Sequence, residues 1–167
     1  ITYILNSDLH IRKETVDELD KALINLPNVA VVGPQGSFFH YGEMKDIHYF
    51  EKGSFDSIIE VDAVSGFLFA VKTKYFTDGT LNFENRFAPC HYEEWDLALK
   101  ARMHNLKSYI VPTTAYEHEW SGSLKSMKTV KYFDKEETLS DIYKRNTKKF
   151  HEIWNKKKKK TSSNLKE

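Results

Sequence analysis

Three clusters of side chains in this sequence are of types that do chemistry. The first is Asn6-Ser7-Asp8, directly after the apolar run Thr2-Tyr3-Ile4-Leu5. One carboxylate and one amide carbonyl at the end of a buried strand place oxygen ligands at the rim of a sheet, where α/β folds collect their ligands. Such donors suit a hard divalent cation that retains waters for a phosphate to displace. Asn and Asp also fit a plain strand-to-loop turn held by Asx hydrogen bonds. The second cluster is Glu93-Glu94-Trp95-Asp96. Successive side chains on a helix point about 100° apart, so the three acids cannot all face one site. Glu93 with Asp96, or Glu94 alone, can project into a cleft, and a carboxylate within reach of a substrate hydroxyl is a general base. Acids in a first helical turn also serve by complementing the helix dipole. The third is His118, within Tyr116-Glu117-His118-Glu119-Trp120-Ser121-Gly122-Ser123. An imidazole there is either a ligand for a metal or phosphate or a solvated loop residue.

The elements that must position these clusters follow from periodicity. Residues 2–5 read as a short buried strand stopped by Asn6-Ser7-Asp8. Residues 14–26 read as a helix, with Val16, Leu19, Ala22, Leu23 and Leu26 on one face and Pro27-Asn28 as its breaker. Residues 29–32 are a second strand, followed by the turn Gly33-Pro34-Gln35-Gly36. Residues 37–56 are mixed and aromatic, a hairpin or a loop, and 58–61 are strand-like. Residues 66–71 form an apolar run, a buried strand or the start of a helix, and 77–85 a loop rich in Asp, Gly and Asn. Residues 93–105 read as a helix opened by acids, with Leu97, Ala98, Ala101 and Leu106 toward a core. Residues 108–111 are a strand ended by Pro112. Residues 140–156 are an amphipathic helix with Ile142, Phe150, Ile153 and Trp154 as its apolar positions. Short buried strands alternating with helices predict an α/β layered domain.

Composition bounds the function classes. A chain of 167 residues is long enough to bury a core without disulfide staples, and its single cysteine, Cys90, makes an intrachain disulfide impossible. No apolar run approaches the roughly 20 residues that span a bilayer. A balance of 25 basic against 24 acidic residues lacks the domain-wide excess of a nucleic-acid binder, so no nucleic-acid partner is expected. Five of the cations are Lys156, Lys157, Lys158, Lys159 and Lys160. Such a run reads as a solvated, disordered tail over 156–167, or as a contact with anionic lipid. Aromatics reach 14%, enough for a dense core and for surfaces that stack on sugars.

Taken in order, the segments Tyr3-Ile4-Leu5-Asn6-Ser7-Asp8, Val64-Ser65-Gly66-Phe67-Leu68-Phe69-Ala70-Val71, Phe83-Glu84-Asn85-Arg86-Phe87, Glu93-Glu94-Trp95-Asp96-Leu97-Ala98-Leu99-Lys100-Ala101-Arg102 and Val111-Pro112 through His118 resemble the C-terminal part of a family 2 glycosyltransferase with the GT-A fold, of the rhamnosyltransferase-like kind. The resemblance implies an α/β architecture: a GT-A-like layered mixed sheet flanked by helices, without the N-terminal nucleotide-binding half, and with a C-terminal helix. Residues 1–125 would be the acceptor-side part of that domain, 126–155 a helical extension and 156–167 the lysine-rich tail.

By the same resemblance, Asp8, with Asn6 in the first position of the family's acidic motif, and His118 would hold Mn²⁺ or Mg²⁺ on a sugar-nucleotide diphosphate. Glu94 would be the catalytic base, standing where the family carries Asp. The extra methylene moves the carboxylate by about one bond length. Gly66 would lie below the acceptor pocket, with Glu93, Trp95, Asp96 and Trp120 around the substrate. The implied activity is metal-dependent, inverting transfer of a sugar from a nucleotide-sugar donor to a glycan or lipid-linked acceptor hydroxyl. The implied setting is cytoplasmic polysaccharide biosynthesis, with the lysine run at the inner membrane face. Competing readings are a non-catalytic binding or scaffold module of glycosyltransferase descent, and another metal-dependent enzyme on the same kind of sheet, such as a nucleotidyltransferase.

Overall fold

The computed structural model describes residues 1–40, 43, 45–119 and 128–163, with backbone alone over 156–163. The chain divides into two compact units, Ile1–Phe83 with Glu94–Lys125, and Glu84–Glu93 with Ser126–Glu167.

In the larger unit the elements run β1 (Thr2–Leu5), β2 (Leu9–Ile11), α1 (Lys13–Asn25), β3 (Val29–Gly33), β4 (Gly36–His40), β5 (Lys45–Phe50), β6 (Ile59–Val61), β7 (Ala63–Val64), β8 (Leu68–Val71), α2 (Lys74–Thr77), α3 (Glu93–Met103, its first residue in the smaller unit), β9 (Lys107–Ile110) and β10 (Tyr116–His118). A five-stranded sheet in the order β1-β8-β3-β9-β6 forms its centre. Only β3 and β9 pair in parallel, so the sheet is mixed. The architecture is α/β.

Alternation along the strands gives this sheet two apolar faces. Leu68, Ala70, Val32 and Tyr109 meet Leu19, Ala22 and Leu23 of α1. Phe69, Val71, Val31 and Ile110 meet Leu97 and Ala101 of α3. Strict alternation would put Val29 on the face of Val31, yet Val29 packs with Val32 on the α1 face. A register shift between Val29 and Val31 against β9 accounts for the change, since an extra residue in a strand re-aims the side chains beyond it. Leu19 and Leu23 are completely buried, and burying each contributes about 1.5–3 kcal/mol.

Two smaller sheets are built on this unit. β5, β4 and β7 form a three-stranded sheet, so residues 37–56 contain a hairpin. β2 and β10 form a two-stranded antiparallel ribbon. Neither strand of that ribbon is apparent from periodicity, because three residues are too few to show alternation.

The smaller unit contains a 3-10 turn (Asn85–Phe87), the hairpin β11 (Thr129–Tyr132) and β12 (Lys135–Thr138), and α4 (Leu139–Ser163). The region expected to be a helical extension from 126 therefore contains a hairpin before its helix. The lysine run, expected as a disordered tail, continues α4. Lysine is a good helix former, and adding residues to an existing helix is far easier than nucleating one. Phe87, Tyr92, Phe150, Trp154 and Ile142 are buried in this unit. Beside them Asn146, fully buried, donates from Nδ2 to the Phe87 carbonyl at 2.6 Å and the Cys90 carbonyl at 2.7 Å. Its neighbour Arg145 donates to the Ala88 carbonyl at 2.9 Å and the Tyr132 hydroxyl at 2.8 Å. Among the described residues no helix is long and apolar enough to cross a membrane.

Two substitutions test these packing arguments. A Cβ on Gly36 would lie 2.4 Å from the Ala63 carbonyl oxygen and 2.9 Å from Ile110 Cγ2. Gly36→Ala is expected to destabilise by about 1–3 kcal/mol through overpacking, measured by urea unfolding; an unchanged midpoint would contradict the close approach. Asn146→Ala strips two carbonyls of their donor and is expected to cost about 1–3 kcal/mol for each one left unsatisfied, measured the same way.

Candidate functional site

Asp8 sits in the turn between β1 and β2, and the β2–β10 ribbon carries His118 to it. Register places His118 opposite Leu9, and the Glu119 amide donates to the Asp8 carbonyl at 3.1 Å. The side chains follow: His118 Nε2 lies 3.4 Å from Asp8 Oδ1, with only 5% and 14% of the two side chains exposed. Phe67 holds the imidazole from one side, its ring stacked at 4.3 Å and nearly parallel. The Phe67 carbonyl accepts from the Asn6 amide at 2.9 Å. The Asn6 side chain is exposed at the lip of this arrangement.

The residue before Phe67 faces Glu94. A Cβ on Gly66 would lie 3.5 Å from Glu94 Cδ and 3.6 Å from Oε2. These are ordinary contact distances, so the carboxylate rests over the glycine, and a methyl group there would touch it without a clash. Glu94 also lines, with Val64, Phe69, Leu97, Ala98 and Ser108 among others, a void of 10 Å³, about the size of one water. The structure thus places the Asp8–His118 pair beside Phe67 and the Glu94 carboxylate beside Gly66.

The remaining candidates go elsewhere. Asp96 is two residues along α3 from Glu94, about 200° around the helix. It is 1% exposed and pairs with Lys100 at 2.6 Å, while Lys100 also donates to the Asn82 carbonyl at 2.8 Å. That places Asp96 in a structural ion pair rather than in a cleft. Trp95 packs on Phe39 of β4, ring centroids 4.5 Å apart. Glu93 has a buried Oε2 with no hydrogen-bond partner among the described residues, and burial pushes its carboxyl above the usual carboxylate range. Trp120 lies outside the described residues.

Sequence reasoning missed a polar network beside the site. The Tyr49 hydroxyl donates to Gln35 Oε1 at 2.7 Å and lies 2.6 Å from Ser65 Oγ, which donates in return. Gln35 Nε2 donates to the Tyr116 hydroxyl at 2.7 Å. Gln35 and Tyr116 are each 3% exposed, and burial pushes the Tyr49 phenol up to about 12. The network ties Ser65, next to Gly66, to Tyr116, two residues before His118. Its one local signal is a Gln inside the turn Gly33-Pro34-Gln35-Gly36. The contacts themselves join residues far apart in the chain.

Among the described residues no group of three or more His, Cys, Asp or Glu side chains is arranged to hold a metal. No family model and no curated protein matches this chain.

Glu93 yields a pH-dependent expectation. Its carboxyl is raised in the folded state, so the fold favours the protonated form. Stability is lost as pH rises from the unfolded value, about 4.3, through the folded one. Glu93→Gln removes that loss. It is expected to raise Tm at pH 8 relative to the parent and to leave it unchanged near pH 3.5, followed by differential scanning fluorimetry. An equal shift at both pH values would show that burial of the charge is not the cause.

Proposed function

We propose that this chain is the acceptor-side part of a GT-A-like glycosyltransferase domain, moving a sugar with inversion from a nucleotide-sugar donor to a hydroxyl of a glycan or lipid-linked acceptor. What supports the reading is that Asp8 and His118, far apart in the sequence, meet beside Phe67, while the Glu94 carboxylate lies against the preceding residue, Gly66.

In this reading Glu94 accepts the proton of the acceptor hydroxyl as that oxygen bonds to the anomeric carbon and the bond from that carbon to the diphosphate breaks. Its apolar surroundings hold the carboxylate in one place, which a base needs more than it needs strength. Phe67 fixes the plane of His118, and the β2–β10 ribbon fixes its distance from Asp8. A carboxylate and an imidazole form a donor pair suited to Mn²⁺ or Mg²⁺, leaving further positions to phosphate oxygens and water. Asn6 can add its amide oxygen. Such an ion, when bound, would neutralise charge on the departing diphosphate. Asp96 and Lys100 keep the helix under Glu94 in position, and Gln35, Tyr49 and Tyr116 hold the Ser65-Gly66 turn.

The test is a thermal-shift panel of UDP-, GDP- and dTDP-sugars with and without Mn²⁺ on the full-length protein, paired with a turnover assay. A stabilising shift with one donor class that needs Mn²⁺ is expected. Asp8→Ala should abolish that shift. Glu94→Gln should keep it while lowering turnover by about 100-fold or more. Unchanged turnover in Glu94→Gln would remove Glu94 as base. A chain that binds no sugar nucleotide under any condition would be a non-catalytic module instead.

A further inference from the structure

A second feature of the β2–β10 ribbon lies outside the site just described. A recess of 520 Å³ opens beside it, lined by His10, Arg12, Lys52, Thr114, Tyr116 and Glu117 together with two apolar residues. Its charge is one-sided: two permanent cations and a histidine against a single carboxylate. Among the described residues neither Arg12 nor Lys52 forms an ion pair with a carboxylate. What distinguishes these two cations is that both line one recess whose lining holds a single carboxylate, Glu117.

Lys52 is also held in place. Its Nζ donates to the Tyr116 carbonyl at 2.5 Å and lies 4.8 Å from the centre of the Tyr116 ring. One of its three N–H groups is thereby used, and the other two remain for a ligand. Tyr116 is itself fixed by the Gln35 amide, so the ammonium rests on a rigid base. Arg12 is anchored at its backbone, whose amide donates to the Ala115 carbonyl at 3.0 Å. An anchored ammonium, a guanidinium fork and the Thr114 hydroxyl form a donor set for a tetrahedral oxyanion with several acceptor oxygens.

We propose that this recess binds a phosphoryl group carried by a ligand of the protein, a phosphate ester or the phosphate of a lipid headgroup. Nucleic acid fits poorly, because the basic surface is one recess rather than a stripe and the chain carries a formal charge of only +1. The recess lies along the same ribbon as His118: Tyr116 pairs with Ile11 and His118 with Leu9. Two residues of strand advance about 7 Å. The recess thus shares a strand with His118, and a role for a phosphate held there as the anchor of a phosphate-bearing acceptor rests on the transferase reading. Binding of the phosphate itself does not.

The experiment titrates inorganic phosphate and glycerol 3-phosphate into ¹⁵N-labelled full-length protein without metal, then repeats it with Arg12→Gln and with Lys52→Gln. Saturable shifts centred on the amides of 10–12 and 114–117 are expected. Affinity should fall about tenfold in each variant, the loss of one charge-assisted contact. Shifts that do not saturate, that lie elsewhere, or that are equal in parent and both variants would overturn the proposal. Two variants are used because Lys52→Gln also disturbs the packing on Tyr116, whereas Arg12→Gln does not touch it. A parallel flotation assay with phosphatidylglycerol vesicles separates the sources. Vesicle binding lost in Arg12→Gln assigns a lipid headgroup, and binding of the soluble esters alone assigns a phosphate ester. Vesicle binding that survives both substitutions, without saturable ester binding, counts against the recess. The Mn²⁺-dependent donor shift, measured on the same variants, stays at the parental value if only the recess is affected, so the two readings fail separately.

Discussion

The candidate site depends on a single main-chain junction. β1 pairs antiparallel with β8 over Thr2–Leu5, and the pairing ends with the Asn6 amide on the Phe67 carbonyl. That bond sets the end of β1 against the start of β8, so Asn6-Ser7-Asp8 leaves the sheet beside Gly66-Phe67. A slip of one residue would turn the side chains of β1 to the opposite face and remove Tyr3 from the α1 side, where it packs on the core and its hydroxyl donates to Asp20 Oδ1 at 2.6 Å. The register of two buried strands therefore decides where a polar turn emerges. The β2–β10 ribbon only has to complete the arrangement by delivering His118.

Electrostatics then sorts the acids of α3 among different tasks. A carboxylate taken out of water must be paired or lose its charge. Asp96 is paired, one helical turn from Lys100, and truncating either partner would leave a buried charge uncompensated. Among the described residues the buried Oε2 of Glu93 has no hydrogen-bond partner, and burial pushes its carboxyl above the usual range. Glu94 is the acid that reaches Gly66. The glycine supplies room for the carboxylate to lie against the chain, and the mostly apolar residues around Glu94 limit where it can go. Three acids within four residues thus have three environments, as the 100° step of the helix requires.

Much of this was legible from the residues, and what was not shares one physical cause. The 3.6-residue spacing of Leu19, Ala22 and Leu23 marked α1, and the β-rich runs at 2–5, 29–32 and 66–71 marked strands of the central sheet. The same helical geometry separated Glu94 from Asp96. The ribbon strands of three residues, the hairpin of mostly polar residues at 129–138 and the Gln35–Tyr49–Ser65–Tyr116 network were not legible. None leaves an apolar period in the local sequence: the ribbon and the network join distant segments, and the hairpin is too polar to show one. Trp95 shows the same limit from the other side. Its position beside the acids suggested a sugar-stacking face, and its packing on Phe39 of the 37–56 hairpin left no signal in the sequence.

The two compact units solve the problem of burial in different ways, and this bears on how each responds to change. The larger unit rests on a sheet with two apolar faces, where stability is spread over many side chains and single contacts matter little beyond their area. The smaller unit has fewer apolar residues and gathers its loop around two adjacent polar side chains of α4. Asn146 satisfies carbonyls at Phe87 and Cys90, and Arg145 those at Arg86 and Ala88. A buried carbonyl left without a donor costs free energy, so these bonds hold the 84–93 segment in its path, with Lys149 a second donor to the Arg86 carbonyl at 3.0 Å. That segment ends at the first residue of α3, and its last two residues before the helix, His91 and Tyr92, adopt positive φ, a conformation unfavourable to both. Backbone in that region persists only where surrounding contacts over-determine it. The buried Tyr92 ring against Phe87 and Phe150, with its hydroxyl at Thr147, supplies those contacts within the same unit.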